Sequence, residues 1–331
     1  MADGVMVPVS EINKARRTAI EELRTNRLKA FMQRIPAENK IIPSANSVQK
    51  NKEKTLLSVH VDKLAKVRSA IAGGADIVIF GGETYDHSSI SEKDYKAAFD
   101  ACRESNIKIY FATPRIVTQE EQQSLDKAMD IFRRLQPDGI VASSLSAFYS
   151  AKDIGLPIWI DYNLNTFNRE SLAFWQEQKN VEGVTLSTEL TFNQIKELAG
   201  LFPLECIVHG RAEMMVTKYC AIGSILGTSP VCNAPCKNGS YFLEDRMGEH
   251  FPLVTDQFCR MHVLNAKELS MLAHTESFAE AEIDRIRIDA RYHDEKAVKQ
   301  IVSRYSSALN GQHTEETASD FTRGHYFRGV S

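Results

Sequence analysis

The sequence predicts an α/β protein built as a barrel of eight parallel strands, each followed by a helix, and three observations point there. From Thr55 onward, short runs rich in Val and Ile alternate with helical segments of ten to sixteen residues, the pattern of repeated βα units on a parallel sheet. Those runs number eight, the count that closes a barrel. No strand-to-helix turn carries GxGxxG or GxxxxGKS/T, the fingerprints expected of the rival open, doubly wound sheet.

The N-terminal part, 1–53, reads as a helix and a linker. Residues 10–34, SEINKARRTAIEELRTNRLKAFMQR, open with Ser10 as an N-cap and continue with charge-interleaved helix formers, which predicts one amphipathic helix. The polar stretch AENKIIPSANSVQKNKEK follows. The remainder, 54–331, is the barrel domain, with strands expected at 55–61, 76–82, 108–114, 139–144, 157–163, 183–187, 204–210 and 283–291. Between them lie VDKLAKVRSAIAGG, SEKDYKAAFDACRESN, EEQQSLDKAMDIFRRLQ, NQIKELAGLF and EKAVKQIVSRYSSAL, with apolar residues at three- and four-residue steps. One connection breaks the rhythm, because more than seventy residues separate the seventh and eighth strands. This architecture is a (β/α)8 TIM-type barrel with an N-terminal helix and a cysteine-rich insertion at 211–275, closed by a tail at 310–331. Within the insertion, GSYFLEDRMGEHFPLVTD alternates around MGE and predicts a β-hairpin.

The formal net charge of -3 provides no global attraction to nucleic acid or anionic membrane, so such a partner would need a local patch. No run approaches the eighteen apolar residues of a membrane span, and MADGVMVPVSEINKARR lacks the order of a signal peptide. The expected location is cytoplasmic, with no membrane partner. Six cysteines in a reducing compartment favour free, catalytic or metal-bound sulfur over disulfides.

Four of the six fall in the insertion as Cys220-x11-Cys232-x3-Cys236-x22-Cys259, with Gly and Pro around the middle pair in GTSPVCNAPCKNG. Such punctuation bends a loop so that sulfur atoms converge. Four thiolates suit tetrahedral zinc or an iron-sulfur cluster, and the spacing matches neither a zinc ribbon nor a bacterial ferredoxin run. Cys102, on the helix DACRES, and Cys206, inside LECIVHG, read as small core hydrophobes.

Reactive groups of a (β/α)8 barrel sit where its strands end at the C-terminal mouth. There the sequence places Glu83, Asp161, Glu189, His209 and Arg211 as candidate catalytic groups, and Arg115, Asn163, Asn165, Asp289 and Arg291 as candidate substrate-binding groups. His209 ends a strongly apolar strand, and Gly210 beside it permits close backbone approach to a ligand, so His209 and Arg211 are expected to face the pocket. No GxSxG elbow, HExxH helix or Ser-His-Asp set supports a conventional hydrolase.

The stretches VHGRAEMMVTKYCAIGSILG, CNAPC, FPLVTDQFCRMHVLNAKEL and FTRGHYFRGV resemble peptidase family U32, the collagenase-like peptidases, above all the C-terminal barrel portion of its long members. The likeness runs from about residue 54 to the end. Bacterial members include RNA hydroxylation factors, which act in making 5-hydroxyuridine in transfer RNA or 5-hydroxycytidine in ribosomal RNA, and oxygen-independent ubiquinone hydroxylation factors. Several hold a 4Fe-4S cluster through four cysteines, and Cys220, Cys232, Cys236 and Cys259 resemble those ligands, which moves the expectation from zinc toward 4Fe-4S. The resemblance implies an iron-sulfur enzyme or subunit in hydroxylation of a tRNA uridine or rRNA cytidine. Its alternatives are a U32 peptidase and a non-catalytic barrel serving another subunit. RNRLKAFMQR and RGHYFRGV mix Arg with aromatic residues, as phosphate contact and base stacking require. The helix and the abrupt start at MADG imply a fragment of a longer protein or the product of a split gene, so a partner subunit or a further N-terminal portion is expected.

Overall fold

The computed structural model describes residues 7–32, 54–228, 231–312 and 320–329. The chain divides into two compact units, Met1–Ile42 and Pro43–Ser331. Among the described residues the first unit contains one helix, Val9–Met32. It begins a residue before the expected cap: the Pro8 carbonyl accepts from the Glu11 and Ile12 amides (3.0 and 3.3 Å), and Ser10 lies in the first turn. Proline is at home there because an amide at a helix start has no intrahelical acceptor. Val9, Ile12, Ile20, Leu23 and Leu28 are exposed, and the linker expected after the helix lies outside the described residues.

The second unit opens with seven strands: β1 (Leu56–Val61), β2 (Ile77–Gly81), β3 (Lys108–Ala112), β4 (Gly139–Ala142), β5 (Ile158–Ile160), β6 (Val181–Thr185) and β7 (Leu204–Gly210). The insertion then adds β8 (Glu213–Thr217), β9 (Tyr241–Glu244), β10 (His250–Thr255) and β11 (Met261–Leu264) as a four-stranded antiparallel sheet in the order β8-β11-β10-β9. A short β12 (Glu268–Ser270), the barrel-closing β13 (Arg285–Asp289) and β14 (Phe321–Thr322) complete the set. Strand β13 pairs in parallel with both β1 and β7, so β1–β7 and β13 form a closed eight-stranded parallel barrel. Strand β12 adds antiparallel to β7, and β14 adds parallel to β12.

Helices cover the outside, and several of their N-termini are capped by side chains. Ser91 and Asp94 form a reciprocal cap on Glu92–Glu104, and Asp294 accepts from the Ala297 amide (2.8 Å) at the start of Glu295–Leu309. Leu57, Val59, Phe80, Phe111, Phe132, Val298 and Val302 are fully buried between strands and helices. At about 25 cal/mol per Å2 of apolar surface removed from water, each such side chain stabilises the fold by roughly 1.5–3 kcal/mol. Most strands differ from the expected bounds by a residue or two, and two of the shifts have a local cause. Residues 162–164 form a 3-10 turn rather than strand, because the Asp161 carboxylate accepts from the Tyr162 amide (2.9 Å) and Asn165 closes the turn in the left-handed region. Strand β6 starts at Val181 and runs through Gly183, where a Cβ would lie 2.3 Å from the Trp159 ring.

The barrel interior is layered. The alternation RIRID on β13 sends Ile286 and Ile288 outward to the helices and Arg285, Arg287 and Asp289 inward. Arg285 lies 3.5 Å over the Trp159 ring and donates to the Tyr110 hydroxyl (2.9 Å). One layer up, Arg287 donates to Asp161 (2.6 Å) and Thr185 (2.8 Å) and pairs with Glu205 (2.5 Å). Ser143 donates to Asp161 (2.8 Å), and Ser58 to Glu205 (2.6 Å). Among the described residues no helix is long and apolar enough to cross a membrane.

Candidate functional site

The uppermost layer opens at the C-terminal mouth. Arg291 clasps Asp289 through two hydrogen bonds (3.0 and 2.6 Å), lies 3.6 Å from Glu83 and sits over the Tyr85 ring. Burial alone would raise the Asp289 carboxyl, but the Arg291 guanidinium overrides it and holds the group well below the usual range. Beneath them His60 donates from Nε2 to the Gly81 carbonyl (3.0 Å), which fixes its tautomer. Burial first, then the nearby Arg291, lowers its imidazolium pKa to about 4, so it is neutral at pH 7.

Above this layer lies a cavity of about 450 Å3, large enough for a nucleobase-sized ligand. Its wall includes Tyr85, Tyr162, Glu189, Arg211, Asp289 and Arg291. Arg211 donates to the Asn265 carbonyl (2.8 Å), and its guanidinium lies over the Tyr292 ring. The sequence-predicted residues therefore separate by depth. Glu189, Arg211, Asp289 and Arg291 line the cavity, whereas Glu83 stands behind Arg291 and accepts from the Arg115 amide. Asp161 lies deeper, paired with Arg287, and Arg115 pairs with Glu213 of the insertion. Asn165 is an exposed turn residue, while the buried Asn163 Oδ1 has no protein partner.

His209 is placed differently from the expectation that it faces the pocket, because it is not among the residues lining this cavity. A register shift between Arg287 and Ile288 opposite β7 re-aims it toward Tyr305 of the helix Glu295–Leu309. The close approach permitted by Gly210 (φ +124) is to β13, where a Cβ would meet the Asp289 carbonyl at 2.5 Å. Sequence reasoning missed Tyr85, Tyr162 and Glu213, which line the cavity, and His60, Glu205 and Arg287 beneath it. The alternation of Arg and Ile on β13 was the available signal for the arginines.

The insertion docks on this mouth. Gln257 donates to the Gly82 carbonyl (2.8 Å) and accepts from the Thr84 amide (3.0 Å). His262 bridges Glu213 and Asp256 (3.2 Å to the latter), and Arg260 pairs with Glu121. The predicted hairpin forms between β9 and β10, with Gly248 at φ +79 in its turn.

All four insertion cysteines are free thiols, and Cys220 and Cys236 pack against the buried Leu253, Met261 and Val263 of this sheet. Cys220 caps the helix Ala221–Leu226 by accepting from the Gly223 amide (3.2 Å). A Cβ on Gly223 would lie 3.3 Å from Cys232 Sγ and 3.5 Å from Cys220 Sγ, and one on Gly227 would lie 3.1 Å from Cys232 Sγ. Burial pushes the Cys259 thiol up, and Cys236, Asp256, Cys220 and Cys232 push it in the same direction, so all three other sulfurs lie within its electrostatic reach. Cys259 Sγ also lies 3.3 Å from His87 Nε2, a neighbour no sequence pattern marked. Among the described residues no three of these sulfurs lie within 4.8 Å of one another. Cys102 and Cys206 are buried in the core, and burial pushes the Cys102 thiol up to about 12. A second cavity, of about 390 Å3, runs between Cys236, Tyr241 and Leu253 of the insertion and Tyr85, Arg291 and His293 of the mouth.

The family model for Peptidase family U32 matches residues 62–326. An uncharacterized protease of Methanocaldococcus jannaschii is 22% identical over 262 residues, which cover 75% of this chain and 63% of that protein. A collagenase of Porphyromonas gingivalis is 23% identical over 283 residues, covering 77% and 66%. The tRNA hydroxylation protein P1 of Bacillus subtilis is 18% identical over 283 residues, covering 82% and 67%. The matched region thus spans just under two thirds of the length of the first two relatives.

Proposed function

This chain belongs to peptidase family U32, and on that premise we propose that it is an iron-sulfur protein acting in the hydroxylation of an RNA base, a tRNA uridine or an rRNA cytidine. The observation that carries the proposal is the nearness of Cys220, Cys232, Cys236 and Cys259 to one another, with Cys236 lining a cavity that shares Tyr85 and Arg291 with the base-sized one at the barrel mouth. The donor set fits a 4Fe-4S cluster better than zinc. One zinc ion with four thiolates needs its sulfurs about 3.8 Å apart, from Zn–S bonds of about 2.3 Å, whereas a four-iron cubane spreads them wider. The sulfurs here are near one another, yet no three meet the closer limit of 4.8 Å. Gly223 and Gly227 leave room for sulfur that a side chain would fill. When bound, such a cluster supplies one-electron transfer.

The chain's own residues suit a splayed-out base. Tyr85 and Tyr162 offer aromatic faces, and Arg211 and Arg291 offer planar donors to base oxygens or phosphate. Arg291 is held in place by Asp289 and Glu83, so it is oriented before a ligand arrives. The name of the Bacillus subtilis relative supports this substrate class. The proposed location is cytoplasmic, and a partner subunit is proposed as part of the working protein.

Anaerobic purification, with iron, sulfide and zinc analysis, tests the cofactor. Cys→Ser at any of the four positions should abolish or sharply reduce iron and sulfide, because a hydroxyl is a poor replacement for a soft thiolate, and Cys102→Ser should leave them unchanged. Stoichiometric zinc without sulfide overturns the cluster. Nucleoside analysis of RNA from cells with and without the gene tests the substrate, with loss of a hydroxylated pyrimidine expected. A peptidase reading is favoured by the names of the archaeal and Porphyromonas relatives, and gelatin cleavage with unchanged RNA would establish it instead.

A further inference from the structure

We propose that His209, Glu268 and His293 form a binding site for one divalent transition-metal ion, separate from the cysteine set. The inference does not rest on the iron-sulfur reading. The three residues come from β7, β12 and the turn after β13, and one ligand atom of each lies within 4.8 Å of the others. Their side chains are 6, 18 and 11% exposed, so the site is cut off from most solvent. The Nε2 atoms of both histidines converge on one oxygen, Glu268 Oε1.

The hydrogen bonding around His209 says what is missing. Tyr305 Oη donates its proton to the Val208 carbonyl (2.9 Å) and stands 3.4 Å from His209 Nδ1. That hydroxyl also accepts from the Met271 amide (3.1 Å), so any hydrogen bond it makes with His209 has the ring donating from Nδ1, and in that tautomer the Nε2 lone pair points at Glu268. His209 Nε2 and Glu268 Oε1 face each other at 3.2 Å with His293 Nε2 against the same oxygen, and neither His209 Nε2 nor Glu268 Oε1 makes a hydrogen bond of good geometry. In that tautomer two lone pairs face each other in a low-dielectric pocket, and a cation shared by the three residues removes the conflict. The outer contact of His209 to a tyrosine is the kind of support that fixes a metal-binding imidazole. The register shift that turns His209 away from the mouth cavity is what brings it to Glu268 and His293.

The donor set selects the ion class. Two imidazoles and one carboxylate with open positions suit zinc, iron(II) or cobalt(II), whereas magnesium and calcium prefer all-oxygen shells. His293 also lines the cavity it shares with Cys236, which gives the ion a path in.

The test is titration of the anaerobically purified full chain with cobalt(II), followed by visible absorption and calorimetry. One equivalent should bind with the weak visible bands of nitrogen and oxygen ligands and without sulfur-to-cobalt charge transfer. Cobalt bound to the cysteines would show that charge transfer, so the two sites are read separately. Glu268→Gln, which keeps the side chain's shape, should weaken this binding at least about tenfold, and His293→Ala should remove it, with iron and sulfide content unchanged in both. Zinc should raise the melting temperature of the wild-type chain and not of His293→Ala. No cobalt of the nitrogen and oxygen type in the wild type overturns the proposal, as does binding that both substitutions leave intact. In either case the cluster is tested independently by its iron and sulfide.

Discussion

His60 makes the barrel interior sensitive to acid, and the size of the effect follows from its surroundings. Buried beneath Arg291 and Arg287, with Asp289 only partly compensating, its imidazolium pKa falls from 6.5 to about 4. The unfolded chain therefore binds a proton at His60 that the folded chain refuses throughout that window. Stability rises with pH wherever the unfolded state holds more protons, so the contribution is fully present above pH 6.5 and is lost as pH falls toward 4. Integrating proton uptake from about pH 7 to about pH 4.5 gives roughly 2 kcal/mol of lost stability from this residue. The assay is urea unfolding at both pH values for the wild type and for His60→Gln, which retains a donor for the Gly81 carbonyl. The wild type should lose roughly 2 kcal/mol more than the variant on acidification. A gap between the two proteins that does not change with pH would refute the reasoning, since it would mean His60 titrates alike in both states.

Arg287→Met should cost about 3–5 kcal/mol in urea unfolding, because it leaves Asp161 and Glu205 buried without their shared cation; a loss below about 1 kcal/mol would show that the pair is not maintained in solution. Gly223→Ala should lower iron and sulfide per chain while leaving the urea midpoint nearly unchanged, since its Cβ would press on Cys232 Sγ (3.3 Å) and Cys220 Sγ (3.5 Å) rather than on the barrel. Full loading in that variant would remove Gly223 from the cradle. Tyr326→Phe should destabilise by about 1 kcal/mol through the lost hydrogen bond to the Ile207 carbonyl (2.6 Å), measurable by thermal melting.

The barrel was legible in the sequence because strands buried on both faces read as continuous apolar runs, and eight such runs occur. The hairpin was legible because MGE supplied a glycine where the turn needs positive φ. Strand β6 was misplaced because Gly183 reads as a strand boundary, whereas its missing Cβ makes room for Trp159. Strands β8 and β12 escaped detection since EMMVT buries neither face fully and ELS is too short to show a period. At the mouth, position at a strand end pointed to Asp289 and Arg291, which line the cavity, but not to which way each side chain turns. A one-residue register shift decided that for His209, and pairing registers are not written in one strand alone. Glu268 and His293 were unreadable for a related reason, since the group assembles only when three separate segments meet.

The tail carries a consequence for the order in which the molecule is finished. Phe321 and Thr322 pair with Glu268 and Leu269, and Thr322, Gly324, His325 and Tyr326 line the mouth cavity. The strands that close the barrel end at Asp289, yet this wall of the cavity comes from residues as late as Tyr326. The chamber is thus completed by a segment that the closure of the barrel itself does not use. In the finished protein, occupancy of the chamber and docking of the tail share one free energy, so a bound ligand should slow amide exchange at 321–326 more than in the barrel strands.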